Sequence, residues 1–376
     1  MRLFFALLCT ISPVGMGSGG APPGVCERPL PSAPQGLPTR VIVETQCGTY
    51  AIDHDGSVAL APRHPVDPGP WQLDLRQGHL VLIANRRVVW RSRRNFARQL
   101  EGIQSLAVGR GALAFSFDDR RLWVARFRGV EHVVARGEAA FGWSRAGRLL
   151  TVKWSRRSPY LGTAFTRGPN GGNRRHLASR VTGVAFEDTT KTLVFATADN
   201  RLARTDGKVV KRLASLVGYG LKGRELWPIL IGGRLIAFQG NGRVVVFRPD
   251  GALFATSTFA RDVLWTSELV AGSRGVAFTI GDADGRHETL YLLRAGDRSA
   301  KVLYRAPAYI DGCRWAAAQW HGDWILYSTS QGQVTAVDAT ETNAPIDLKE
   351  TIAHLPGVER QPDTGTLGGF DGATWS

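Results

Sequence analysis

The chain holds carboxylates two residues apart around a glycine at two places, Asp53-His54-Asp55-Gly56 and Asp282-Ala283-Asp284-Gly285, the second with Glu288 downstream. That spacing can ring a calcium ion with oxygen ligands. Both stretches also fall where a hairpin turn is expected, and aspartates bonding to their own backbone account for them without a metal. The eight histidines and four cysteines are scattered, with no CxxC pair and no metal-ligand spacing. Beyond the N-terminal segment there is no GxSxG nucleophile turn and no spaced acid/base pair. The expectation is therefore no metal, no cofactor and no assignable catalytic residue.

Arginine is the residue that clusters. The formal net charge is +15, and it is unevenly spread. Residues Arg63 to Ser215 hold 29 Lys/Arg against 11 Asp/Glu, whereas Ile310 to Ser376 hold 3 against 9. The densest stretches, RRVVWRSRRNFAR (86 to 98) and WSRRSPYLGTAFTRGPNGGNRR (154 to 175), interleave arginine with aromatic residues. The candidate binding residues are Arg91, Arg93, Arg94, Arg156, Arg157, Tyr160, Arg174 and Arg175. Such a surface attracts phosphate- or carboxylate-bearing polymers by a salt-sensitive field. The competing reading is a solvated surface in a chain whose preference for arginine over lysine reflects GC-rich coding.

The compartment narrows the partner. MRLFFALLCTISPVGMGSGG has one arginine, an apolar run from Leu3 to Ile11 and small residues before Ala21, the layout of a secretory signal peptide at 1–20. No later run approaches eighteen apolar residues. In an oxidising compartment Cys26 and Cys47 can close a disulfide around the N-terminal arm. Cys313 is then either a buried thiol or a partner of one of the other two. Nucleic acid fits the charge, but export argues against it, leaving an envelope protein or an anionic polymer as the expected partner. The chain is expected to be monomeric.

The elements that would position these residues repeat. Seven apolar runs of β-forming residues recur: GHLVLIA at 78, GALAFSF at 111, GRLLTVKW at 147, KTLVFATA at 191, GRLIAFQG at 233, RGVAFTIG at 274 and DWILYSTS at 323. Each is followed by a turn rich in Gly, Asn or Asp and a second strand-like run. No 3.6-residue pattern is sustained between Pro62 and Lys349. Units of about 40 residues built this way match the four-stranded blade of a propeller. The sequence predicts an all-β chain with a single seven-bladed β-propeller over 63–355. A Pro-rich linker at 21–38 and a C-terminal tail at 356–376 flank it. RVIVET and the strand after it, at 39–62, form a hairpin that either closes the ring or begins an eighth blade. The eleven tryptophans follow no regular docking pattern and are expected to pack between blades.

One stretch also resembles a known family. WSRAGRLLTVKW followed by TAFTRGPNGGNRRHLAS is similar to the repeat of TolB-like, WD40-like propellers, where a Trp-Ser-Pro-Asp-Gly turn precedes an apolar strand. In that repeat a later Asn/Asp-Gly turn leads into Arg-Arg-Leu. Trp143, Ser144 and Gly147 match the first turn, with Arg145 and Ala146 in place of Pro and Asp; Asn170, Gly171, Arg174, Arg175 and Leu177 match the second. Gly275 to Ala306 resembles the repeat again. The resemblance implies a propeller acting as an extracytoplasmic binding or assembly platform. The first expectation is accordingly a secreted, non-enzymatic module. The alternative is a propeller hydrolase or lyase acting on a sugar, lactone or peptide at the channel mouth.

Overall fold

The computed structural model describes residues 25–62, 72–84, 87–96, 103–117, 121–221, 226–232, 234–240, 242–259, 269–281, 288–306, 316–329, 332–360, 367–368 and 370–376. Among them the only α-helix is α1 (Lys349–Ala353). Everything else regular, apart from a 3-10 turn at Val25–Glu27, is antiparallel strand. Two compact units result, one from residues 1–65 with 259–376 and one from 66–258.

In the first unit, β1 (Val41–Thr45), β2 (Gly48–Ile52) and β3 (Val58–Ala61) form an antiparallel meander. In the second unit, β4 (Gln72–Arg76), β5 (His79–Ala84) and β6 (Arg87–Arg91) make a three-stranded sheet. β7 (Ile103–Gly109), β8 (Ala112–Phe117), β9 (Arg121–Arg126) and β10 (His132–Arg136) make a four-stranded one. Next come β11 (Glu138–Trp143), β12 (Leu149–Trp154), β13 (Gly162–Arg167) and β14 (Arg175–Glu187). The 13-residue β14 runs on into a further meander with β15 (Thr192–Thr197), β16 (Arg201–Thr205) and β17 (Val210–Ser215), so seven strands share one sheet. The unit ends with the meander β18 (Ile229–Ile231), β19 (Leu235–Gly240), β20 (Arg243–Phe247) and β21 (Leu253–Thr258).

The rest of the first unit adds β22 (Val270–Ala271), β23 (Val276–Gly281), β24 (Glu288–Leu293) and β25 (Lys301–Arg305). β26 (Ala316–His321), β27 (Trp324–Thr329), β28 (Val334–Asp338) and β29 (Ile346–Asp347) follow as another meander. After α1, β30 (Glu359–Arg360) pairs with β31 (Leu367–Gly368), and β32 (Phe370–Trp375) pairs with β1. This repeated meander is the blade unit of a β-propeller, and the chain is all-β and of that class.

Each of the seven apolar runs is the second strand of its meander: β5, β8, β12, β15, β19, β23 and β27. The reason is two-sided burial. Side chains of a strand alternate between its faces. In β15, Leu193 and Phe195 belong to the core shared with Leu150 and Val152, whereas Val194 and Ala196 belong to the core shared with Phe238 and Phe247. In β27, Ile325 and Tyr327 join Ala277 and Leu290, while Leu326 joins Val41 and Val43. With both faces covered, apolar residues fill both sets of positions and the alternation vanishes. Fourth strands such as β10, β17 and β25 are largely exposed and carry the Arg and Lys. Beyond the seven runs, the 39–62 stretch supplies three strands and the tail supplies the fourth, in the order β3-β2-β1-β32. Among the described residues this is an eighth sheet section. Its strands come from both chain ends, so it leaves no continuous repeat in the sequence.

Tryptophans do repeat, in space. Trp143 of β11 donates its indole N–H to the Ala107 carbonyl at 3.2 Å and covers Gly109, where a Cβ would lie 2.6 Å from the ring. Trp320 of β26 donates to Val270 O at 3.1 Å and covers Gly272 in the same way. Trp375 of β32 donates to Gln319 O at 3.0 Å, with His321 where the others have glycine. First strands of successive sheets are thus joined by an indole bonded two residues before a small or flat partner. The pattern is invisible in the sequence because the paired positions are 36, 50 and 56 residues apart.

The N-terminal arm is held down along its described part. Ala33 N donates to Gly56 O at 2.8 Å, Gly36 N to His54 O at 2.9 Å, and Arg28 Nη1 to Val358 O at 3.0 Å. Leu37 is buried in the core formed with β1 and α1. Cys26 and Cys47 form a disulfide with their Cα atoms 5.4 Å apart. Closing a loop of this length restrains the unfolded chain by about 3 kcal/mol.

Candidate functional site

The connection from β12 to β13, Ser155 to Leu161, is folded on itself. Ser155 N donates to Leu161 O and Leu161 N to Ser158 O, at 2.8 and 2.9 Å. Ser155 Oγ accepts from Arg157 N and Ser158 N, both at 3.2 Å. With its backbone groups satisfied internally, the loop projects Arg156 and Arg157 into solvent as exposed side chains. At its base, Gly162 has Val152 and Trp154 where a Cβ would stand, 2.8 and 2.9 Å away. Trp154 in turn stacks on Trp227, ring centroids 5.6 Å apart and planes within 20°.

A cleft lies on either side of this loop. The first, about 410 Å³, has Arg136, Lys153 and Arg156 in its wall with Trp154, Ser155 and Thr163. Neither wall contains a carboxylate, and none of those three cations has an acidic partner among the described residues. Three like charges on a concave surface focus a positive potential and favour an anion. The second cleft, about 360 Å³, is lined by Tyr160, Leu221 and Leu226 with Ser158, Thr182 and Asn200 at its polar points. Leu161 belongs to both walls.

The other arginines of the same stretch lie elsewhere. In a meander, the β12–β13 and β13–β14 turns are at opposite ends of the sheet, and a six-residue strand separates them by about 20 Å. Arg174 and Arg175 are therefore remote from Arg156 and Arg157. Arg174 lies over the Phe165 ring at 3.5 Å from its centroid and pairs with Glu138 at 3.2 Å. Glu138 is buried, bonded by Arg167 through both carboxylate oxygens (2.9 and 2.8 Å) and by Thr151 Oγ1 at 2.9 Å. Burial pushes its pKa up, but the bonds and charge of Arg167, with Thr151 and Arg174, outweigh this and hold it below the ordinary glutamate value. Arg167 also donates to Gly171 O at 2.8 Å, which fixes the turn that carries Arg174.

Arg91, which ends β6, and Arg93 and Arg94 just after it are exposed; β6 is the third strand of its sheet. The Arg93 and Arg94 backbone N–H groups donate to the Glu131 carboxylate at 3.2 and 2.6 Å. The Arg94 guanidinium lies 5.4 Å from the Trp123 ring centroid. The eight residues singled out in the sequence thus fall into three separate groups, Arg91 with Arg93 and Arg94, Arg174 with Arg175, and Arg156, Arg157 and Tyr160 on one loop, where Arg156 and Tyr160 line separate clefts. Arg136, Lys153, Leu221 and Leu226 escaped sequence reading: Arg136 ends β10 and the leucines lie between β17 and β18, outside the stretch that carries the loop they meet.

The carboxylate pairs have other partners. Asp53 is held by Arg40 through both oxygens at 2.7 and 3.2 Å, and Asp55 accepts from Ser57 N at 2.9 Å in an Asx turn. Asp282, Asp284 and Cys313 lie outside the described residues. Glu288 is buried and bonded by Thr279. Among the described residues no group of His, Cys, Asp or Glu could hold a metal ion, and no helix is long and apolar enough to cross a membrane.

No protein-family model matches the chain, and no curated protein matches it in sequence. Solved structures are similar to it at low identity. BamB from Moraxella catarrhalis is 15% identical with a TM-score of 0.41, covering 84% of this chain and 95% of its own. The computationally designed Ika8 protein is 12% identical, with a TM-score of 0.41 and coverage of 82% and 96%. The dihydro-heme d1 dehydrogenase NirN is 12% identical, with a TM-score of 0.46 and coverage of 85% and 75%.

Proposed function

We propose that the protein is an extracytoplasmic, non-enzymatic binding module of the propeller class, with repeats akin to the TolB-like and WD40-like type. It holds an anionic partner, an envelope protein or polymer, at the end of the central sheet that carries the loop 155–161. The observation that carries this reading is the cleft in which Arg136, Lys153 and Arg156 meet without a carboxylate. The apolar run after Arg2 and the Cys26–Cys47 disulfide support an oxidising compartment outside the cytoplasm.

The test is salt-dependent retention of the mature protein on an anionic resin and in pull-downs from envelope extracts. R136A/K153A/R156A is compared with K208A/K211A/R212A, which removes the same charge from an exposed segment around β17. The first variant is expected to elute at clearly lower salt and to lose its captured partner; the second changes little. Equal shifts in the two variants would mean bulk charge alone acts, and the proposal would fail.

A further inference from the structure

Loop 155–161 divides two clefts of opposite character, and we infer that they are halves of one site whose ligand is an acidic peptide segment with an apolar side chain beside its carboxylates. The inference rests on the binding-module reading above and names its partner class. The halves adjoin each other in two ways. Leu161 stands in both walls. Trp154 of the cationic cleft stacks on Trp227, which follows Leu226 of the apolar cleft.

The dimensions suit an extended chain. Side chains on one face of an extended peptide recur about every 7 Å, so four or five residues carry a carboxylate and an apolar side chain to opposite sides of a single leucine. The cationic half supplies Arg136, Lys153 and Arg156, which pair with carboxylates by charge-assisted bonds. The second half supplies Tyr160, Leu161, Leu221 and Leu226 to an apolar side chain. Around it, Ser158, Thr182 and Asn200 offer hydroxyl and amide groups that match a peptide backbone. A lipid acyl chain in the same place would leave those polar groups facing hydrocarbon, a cost that a peptide avoids. Trp227, 42% exposed, adds the kind of half-buried aromatic that anchors peptide contacts.

The experiment uses the full mature chain and an array of short peptides in which acidic runs are followed either by Phe or Leu or by Ser, with phosphatidylglycerol vesicles as a separate arm. Three proteins are compared: wild type, R136A/K153A/R156A, and A198L, which fills the apolar cleft from its wall without changing charge. W227A replaces A198L if the latter's thermal melt is not native-like. Wild type is expected to bind the acidic-apolar peptides at least tenfold more tightly than the acidic-Ser ones. A198L should erase that preference while retaining the weaker acidic binding. Equal binding of both peptide sets, no effect of A198L, or strong binding to vesicles with no peptide discrimination would overturn the inference and leave the binding-module reading standing. Loss of nothing on R136A/K153A/R156A would overturn both.

Discussion

Seven arginines lie between Trp143 and Ser179, and the two ends of one sheet use them in opposite ways. From the β13–β14 end, Arg167 and Arg174 reach along the sheet to the buried Glu138, and Arg148 donates to Thr166 Oγ1 at 3.1 Å and Asn173 O at 3.3 Å. At the β12–β13 end, Arg156 and Arg157 extend from a loop that needs neither of them, and Arg156 joins Arg136 and Lys153 at a cleft. What differs is where the nearby carboxylate is directed: Glu138 stands opposite Lys153 in the register, yet its side chain is bonded to Arg167, Thr151 and Arg174. The lesson is that side-chain pairing, and not arginine content, decides which arginines of one stretch keep an uncompensated charge.

Breaking the compensated end should have the largest effect. R167L leaves Glu138 buried without its principal partner, and loss of one member of a buried ion pair costs about 3–5 kcal/mol. Denaturant unfolding should show that loss, and an unchanged midpoint would contradict the structural role assigned to this end. The acid limb sharpens the contrast next. Because the folded-state pKa of Glu138 lies below its unfolded value, its stabilisation is fully present above the unfolded pKa near 4.3 and is lost as pH falls through the lower folded value. Thermal melts should therefore show steeper acid destabilisation in wild type than in E138Q, whose curve is flatter as pH falls below the ordinary glutamate range. Smallest is the comparison of single side chains. R174A removes a ring contact and one ion pair, about 1 kcal/mol. R156A/R157A should stay within about 0.5 kcal/mol of wild type, and a larger loss would show that the loop needs its charges to fold.

Much of the architecture could be read from the chain. The second strand of each meander announces itself as an apolar run such as GALAFSF, because its residues are covered on both faces. The glycine-rich turns mark where each meander reverses. The closing sheet was only half legible: β1 and β2 read as a hairpin, but nothing in FDGATW says that it pairs with VIVET more than 300 residues earlier. The site was less legible still. SRRSPYLG stands out as a long β12–β13 connection, and Arg156 and Tyr160 lie in it. Arg136, Leu221 and Leu226 have no local signature, since each is an ordinary residue at the join between one meander and the next.

The sequence by itself determined the all-β class, the repeated meander, the disulfide-capable pair Cys26 and Cys47, and the excess of arginine in the first half. All of these follow from local composition and short-range periodicity. Only the tertiary structure decided which arginines are neutralised, that tryptophans 36 to 56 residues from their carbonyl acceptors join first strands, and that a cationic and an apolar cleft share Leu161. Those outcomes depend on which strand ends meet, and antiparallel order places successive turns about 20 Å apart at the two ends of a strand while bringing residues distant in the chain into contact.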